Sequence, residues 1–146
     1  MKNLKYQLSG LFFIGLGLVC LTYYSIKAED ALIGQGKTYT LTARFTSVSG
    51  LREGANVEMG GVRIGKVEKI YLDKSSYEAV VEIDVLQNLR LQEDSIASVR
   101  SRGIIGDKYI RIAPGGSENV LSPGETIYQT ESSIEIEELI SKYIFD

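Results

Sequence analysis

Between Lys5 and Lys27 the chain carries 21 consecutive residues without a charge, Tyr6 to Ile26. Its centre, Leu8 to Leu21, is almost wholly apolar. As a helix rising about 1.5 Å per residue it spans roughly 31 Å, close to the hydrocarbon thickness of a bilayer. In lipid the backbone must satisfy its own polar groups, which leaves helix as the form for one span. Tyr6 at one end and Tyr23 and Tyr24 at the other stand where an aromatic belt forms. The rest of the chain is therefore expected to be tethered to a membrane.

Two other fates fit the run less well. A cleaved signal peptide has a shorter apolar region and a small-x-small cut site, whereas Ile26 stands three places before a cut after Ala28. A lipoprotein cut before Cys20 wants a small residue at Val19 and Leu at Gly17. Cys20 reads as an apolar side chain in lipid. Lys2 and Lys5 precede the span, and Lys27 and Lys37 follow it with Glu29 and Asp30 between, so the distribution leans only slightly towards a cytoplasmic N-terminus.

Beyond Lys27 the remaining 119 residues suffice for one domain. The first 27 residues hold three of the 16 Lys and Arg and none of the 19 acids, so the remainder stands at −6. That balance argues against a nucleic-acid partner, which needs a basic patch. The chain has no histidine, which excludes Ser-His-Asp triads and His-ligated zinc. With Cys20 alone, no disulfide forms within the chain.

Residues 28–37 hold Gly34 and Gly36 without periodicity and read as a linker. Tyr39, Leu41, Ala43 and Phe45 then alternate with Thr38, Thr40, Thr42 and Arg44, which predicts a half-buried strand. Val57 and Met59 predict a second strand running into Gly60-Gly61. Val62–Leu72 is β-rich but changes phase near Gly65, so Gly60, Gly61 and Gly65 read as bend glycines. Ala79, Val81, Ile83 and Val85 alternate with Glu78, Val80, Glu82 and Asp84. Shorter strands are expected at Ser95–Arg100, Lys108–Ala113 and near Glu125–Gln129, set off by Pro114-Gly115-Gly116 and Pro123-Gly124 turns. Seven short strands predict an all-β barrel or sandwich.

After Ser132 and Glu135, which form a capping box, the period changes. Ile136, Leu139, Ile140, Tyr143 and Ile144 share one helical face. So short a helix is marginal alone in water, and its stripe must bury against its own domain or against further copies.

Gly60 to Lys66 fits the first seven positions of a P-loop, but Val67 replaces the Ser or Thr that holds Mg²⁺, and a strand pattern follows where a helix is needed. Glu82 and Asp84 read as a solvated face, not as glycosidase acids. Arg102-Gly103-Ile104-Ile105-Gly106-Asp107 is the odd element, for it places two large apolar residues at a hairpin tip that is normally polar. Either the tip folds back and buries them, at about 1.5–3 kcal/mol each, or several tips together line an apolar hole.

The stretches Val48-Ser49-Gly50-Leu51-Arg52-Glu53-Gly54-Ala55-Asn56-Val57, Gly60 to Val67 and Arg102 to Ile110, with the Glu137-Glu138-Leu139-Ile140 helix, resemble the MCE (mammalian cell entry) domain family. The chain is most similar to the single-domain, membrane-anchored subunits of Mla-type phospholipid ABC transporters of Gram-negative bacteria. The resemblance covers nearly the whole chain. The polar tail that some relatives carry does not follow Asp146; such a tail is expected to be disordered, and little rests on it.

The resemblance implies a seven-stranded β-barrel, six copies of which form a ring around a hydrophobic pore. The pore loop would be Gly103, Ile104, Ile105 and Gly106, and the face of Ile136, Leu139, Ile140, Tyr143 and Ile144 an inter-subunit or channel surface. The partners implied are phospholipid, a permease and an ATPase of an ABC transporter, and a soluble periplasmic lipid carrier. The location implied is the bacterial inner membrane, single-pass, with the C-terminal domain periplasmic. The organisation expected is an anchor over 1–27, a linker over 28–37, a barrel over 38–130 and an amphipathic helix over 131–146. No catalytic residue, metal ligand or cofactor is expected. A periplasmic structural adaptor of an efflux or secretion complex is the alternative, though no heptads support the coiled-coil hairpin it would need. An anchored hydrolase would have to draw on Ser98, Ser101 and Lys108.

Overall fold

The computed structural model describes residues 2–31, 36–134 and 136–145, and the chain divides into two units, Met1–Gly36 and Lys37–Asp146. The first unit is the helix α1 (Lys2–Ala31). Its stretch Asn3–Ser25, with mean hydropathy 1.6, is long and apolar enough to cross a membrane. Leu8, Phe12, Phe13, Ile14 and Val19 all point outwards, as they do on a helix solvated by lipid. The Thr22 hydroxyl, the polar exception, donates back to the carbonyls of Leu18 (3.1 Å) and Val19 (2.9 Å). The helix runs four residues into the predicted linker, as far as Ala31. Ala28, Glu29 and Ala31 are not helix breakers, and residues 32–35 of that linker lie outside the described residues.

The second unit is a barrel of eight strands: β1 (Thr38–Phe45), β2 (Asn56–Met59), β3 (Val62–Leu72), β4 (Ala79–Leu86), β5 (Ile96–Ser101), β6 (Lys108–Ala113), β7 (Thr126–Ile127) and β8 (Gln129–Glu131). A short helix, α2 (Ile136–Ile144), follows. The sheet order is β7-β1-β4-β3-β2-β6-β5-β8. The single strand predicted near Glu125–Gln129 is thus two strands, and the count rises from seven to eight. Tyr128 divides them because β7 pairs with β1 while β8 pairs with β5 at the far end of the sheet order. Two strands one residue apart in sequence occupy opposite ends of that order, so the sheet must curl round on itself. The Thr130 hydroxyl stitches the seam by donating to the Arg44 carbonyl at 2.6 Å.

The interior is filled. Leu41, Phe45, Val57, Val67, Ile83, Leu91, Ile110, Ile112 and Ile127 are fully buried among a larger apolar cluster. A small barrel packed this way is a solid core and not a channel.

The phase change in β3 has two sources. The β2–β3 register slips between Val57 and Glu58, leaving Ile64 as the extra residue beside Gly65. A second slip, in the β3–β4 pairing, falls at Glu68. Ile64 and Gly65 are in consequence both buried, and Glu68 and Lys69 both exposed. Gly60 and Gly61 have φ of 60° and 81° and form the two-residue turn between Met59 and Val62.

Strand register also gives the barrel two distinguishable ends. The chain enters at Thr38, and Phe45 at the other end of β1 pairs with Ala79 beside the 73–78 turn. Asn56, Ser101 and Lys108 lie towards that same exit end, since β2 runs parallel to β6 and β6 antiparallel to β5. The 46–55 loop, the 102–107 tip and the departure towards α2 are therefore grouped together, away from the point of entry.

Candidate functional site

The apolar tip does not fold back. Ile104 is 79% exposed and Ile105 97%, in a turn standing clear between β5 and β6. Its two glycines are built into that turn. Gly103 has φ +70°, and a side chain on Gly106 would meet the Arg102 carbonyl oxygen at 1.7 Å. The Arg102 amide closes the base by donating to the Asp107 carbonyl at 3.0 Å.

The Arg102 side chain anchors the tip to the barrel wall. Its guanidinium is ion-paired with Glu58 on β2 and lies 5.1 Å from the centre of the Tyr109 ring. Glu58 is only 8% exposed, so removing the guanidinium would leave a nearly buried carboxylate without its charge partner. The tip is thus an apolar pair on a braced stalk. Sequence reading found the pair and the glycines but not the pairing of Arg102 with Glu58, which lies 44 positions away. The one local signal for it is that the β2–β3 slip places Val57 and Glu58 both in buried positions.

The root of α2 is fastened to the same end. Lys108, the first residue of β6, donates from Nζ to Ser133 Oγ (2.8 Å) and to the Ile134 carbonyl (3.2 Å). Ser133 also donates from its amide to the Ser47 carbonyl (3.1 Å) and from its hydroxyl to the Ser49 carbonyl (3.1 Å). Beyond this root the apolar stripe is uncovered: Leu139 and Ile140 are about half exposed, and Tyr143 and Ile144 more so. Packing on its own barrel, one of the two outcomes open from sequence, is not what the structure adopts. Glu135, half of the predicted capping box, and the side chain of Ile136 lie outside the described residues. Tip and stripe are two apolar, solvent-facing surfaces, and exposed apolar surface of this kind marks an interaction site.

Among the described residues, the polar constellations singled out from sequence are engaged separately. The P-loop-like stretch opens no helix and continues as β3. Asp84 accepts from the Thr40 hydroxyl at 2.7 Å, on the outer face of β4. Ser98 donates to Glu131 Oε2 at 2.6 Å. That bond, with Arg100 nearby, holds the Glu131 carboxyl below its usual range. Lys108, opposite Ser101 in the β5–β6 ladder, gives its protons to Ser133 and Ile134 and offers Ser101 no base. Among the described residues no cluster of three or more Cys, Asp or Glu has metal-binding geometry.

Comparison with known proteins matches the geometry to a family. The family described as "MlaD protein" matches residues 37–115. The chain is 31% identical over 149 aligned positions to the "Intermembrane phospholipid transport system binding protein MlaD" of Haemophilus influenzae, covering 99% of this chain and 89% of that protein. It is 30% identical to the protein of the same description from Escherichia coli K12, covering 93% and 78% respectively. Among solved structures, a chain of the Acinetobacter MlaFEDB complex in its ATP-bound Vtrans1 conformation superposes with a TM-score of 0.69 at 25% identity, covering 89% of this chain and 97% of that one.

Proposed function

The chain belongs to the MlaD protein family, and from that premise we propose that it is the lipid-binding subunit of a phospholipid ABC transport system, working without catalysis of its own. It sits in the bacterial inner membrane through α1, N-terminus in the cytoplasm, with the barrel in the periplasm. Permease and ATPase subunits supply the driving force, and a soluble periplasmic carrier exchanges lipid with it. Six copies form a ring, and their tips meet around a central pore.

One observation carries this reading: Ile104 and Ile105 are held out in solvent by a braced stalk. Leaving both wet forgoes about 3–6 kcal/mol of burial, which a ring of copies recovers by turning the tips towards one another or towards acyl chains. The filled barrel favours the same arrangement. Phe45, Ile83 and Ile110 close the interior of each subunit, so a lipid path has to run between copies. Acyl chains would enter such a path because transfer from water is favourable by roughly 0.8 kcal/mol per CH₂, with no directional bond to the tail. A path of that kind accepts varied tails. The exposed stripe of α2 offers a second apolar surface for contact between copies.

Native mass spectrometry of the detergent-purified protein tests the reading. Six copies with phospholipid bound are expected; a monomer free of lipid overturns it. Replacing Ile104→Asn together with Ile105→Asn is expected to keep the ring mass and abolish lipid transfer. Normal transfer by that double variant removes the tip from the mechanism.

A further inference from the structure

Beneath the tip lies an open cleft of about 350 Å³ whose lining carries both signs of charge. Arg52, Arg102 and Lys108 contribute cations, and Glu53 and Asp107 carboxylates. Some of these charges are already engaged. Arg102 is paired with Glu58, and a Glu53 oxygen accepts the Ile70 amide at 3.1 Å. Others are not. Arg52 is exposed and makes no ion pair among the described residues. Lys108 bonds only to the neutral oxygens of Ser133 and Ile134, so its charge has no counter-ion among the described residues. The Asp107 carboxylate likewise forms no ion pair among them.

Arg52 and Lys108 have no counter-ion among the described residues, and neither have the carboxylates of Glu53, which is turned to the Ile70 amide, and Asp107. In a cleft of this size that set matches a phosphodiester that bears an ammonium group. Arginine presents a planar fork suited to phosphate oxygens, and lysine a point charge. A carboxylate nearby suits a primary amine and disfavours a second anion. The cleft also adjoins the tip through Arg102, two residues before Ile104. An amphiphile whose phosphate rests on Arg52 and Lys108 has Ile104 and Ile105 within reach of its tails.

We propose that this cleft is a headgroup subsite for aminophospholipids, taking the phosphate on Arg52 and Lys108 and the amine on Asp107. The proposal rests on the reading of the tip as part of a lipid path. It gives the subunit a means of sorting headgroups that an apolar pore lacks, because tails alone do not distinguish one phospholipid from another.

The test uses the full-length protein in non-ionic detergent, with phosphatidylethanolamine, phosphatidylglycerol or diacylglycerol added, and native mass spectrometry of the loaded ring. Wild type is expected to load phosphatidylethanolamine about tenfold over diacylglycerol, the worth of one charge-assisted contact. Arg52→Glu is expected to bring that ratio close to one. Asp107→Asn is expected to equalise the two phospholipids while keeping both above diacylglycerol. Ring mass stays unchanged in both variants. Wild-type ratios in both variants overturn the subsite and leave the proposed function standing, since lipid is still bound. A wild-type ring that takes up none of the three lipids overturns the function reading itself. Dissociation of the ring in Arg52→Glu reassigns the cleft to contact between copies and overturns the proposal. Millimolar inorganic phosphate separates the two sources of the anion. Unchanged phosphatidylethanolamine loading supports a site for the whole lipid, whereas loss as complete as in Arg52→Glu marks a plain anion site and overturns it.

Discussion

A few residues in this barrel are fixed by contacts that leave no room for substitution. Gly65 is the clearest: a methyl group there would lie 1.9 Å from the Asp84 carbonyl oxygen on β4, an atom of a paired backbone that cannot swing aside. Gly65→Ala is expected to cost about 1–3 kcal/mol, read as a lower denaturation midpoint at unchanged slope; an unaltered midpoint would mean that the two strands yield. Asp94 makes a different kind of fixed contact. Its carboxylate accepts the amides of Gly116 (2.8 Å) and Ser117 (3.0 Å), which hold its titration below the ordinary carboxylate range. The folded form therefore binds its proton less readily than the unfolded chain. The stabilisation is complete above the unfolded value of about 3.9 and is lost as pH falls through the lower folded value. Asp73, bonded by the Ser75 amide and paired with Arg44, and Glu131 act in the same direction. Asp94→Asn is expected to flatten the acid limb of the melting temperature against pH; a limb as steep as wild type would assign the loss to other carboxylates. At this scale the sequence is legible in part. Gly65 announces itself by the break in alternation, whereas Asp94 looks like any solvated acid until the 115–117 turn is seen wrapped around it.

Elements were easier to read than their neighbours. β1 and β4 show because a period of two runs along most of their eight residues with one face buried, whereas β3 shows by its β-branched and aromatic content in spite of two breaks in phase. The strand predicted near residues 125–129 was correctly placed but not seen to be divided, because no local pattern says that β7 pairs with β1 and β8 with β5. The tip was recognisable as an anomaly, while its direction was not. No local pattern tells whether Ile104 and Ile105 face in or out, and the ion pair that braces their stalk, Arg102 with Glu58, joins residues 44 positions apart. The stripe of α2 was likewise visible as a face without an owner. Because Leu139 and Ile140 touch little of their own barrel, Leu139→Asp with Ile140→Asp is expected to leave barrel stability within about 0.5 kcal/mol of wild type. Ring mass or lipid transfer is expected to fall. A large loss of barrel stability, with assembly intact, would return the helix to the role of a local cover.

At the scale of the whole chain, two solvents set two independent rules. The Tyr6–Ile26 run of α1 carries no charge and, as a helix, satisfies its backbone within itself, as lipid requires. The barrel sorts side chains in the manner of a protein in water. Among the described residues the buried cluster is drawn from Leu41 to Ile127. The polar seam at Thr130 and Arg44 and the brace at Arg102 and Glu58 also lie wholly in the second unit. Folding of the barrel is then expected not to need the anchor, whose contribution would be location and local concentration, favouring the proposed assembly. Removing residues 1–36 is expected to give a soluble protein with a β-type circular dichroism spectrum. Its melting temperature should lie within about 4 °C of the full-length barrel, less than a loss of 1 kcal/mol would produce in a domain of this size. The proposed ring should dissociate more readily on dilution without the tether. An excised barrel that unfolds or melts far lower would show that α1 supplies part of the core, and the division into an independent anchor and an independent barrel would have to be abandoned.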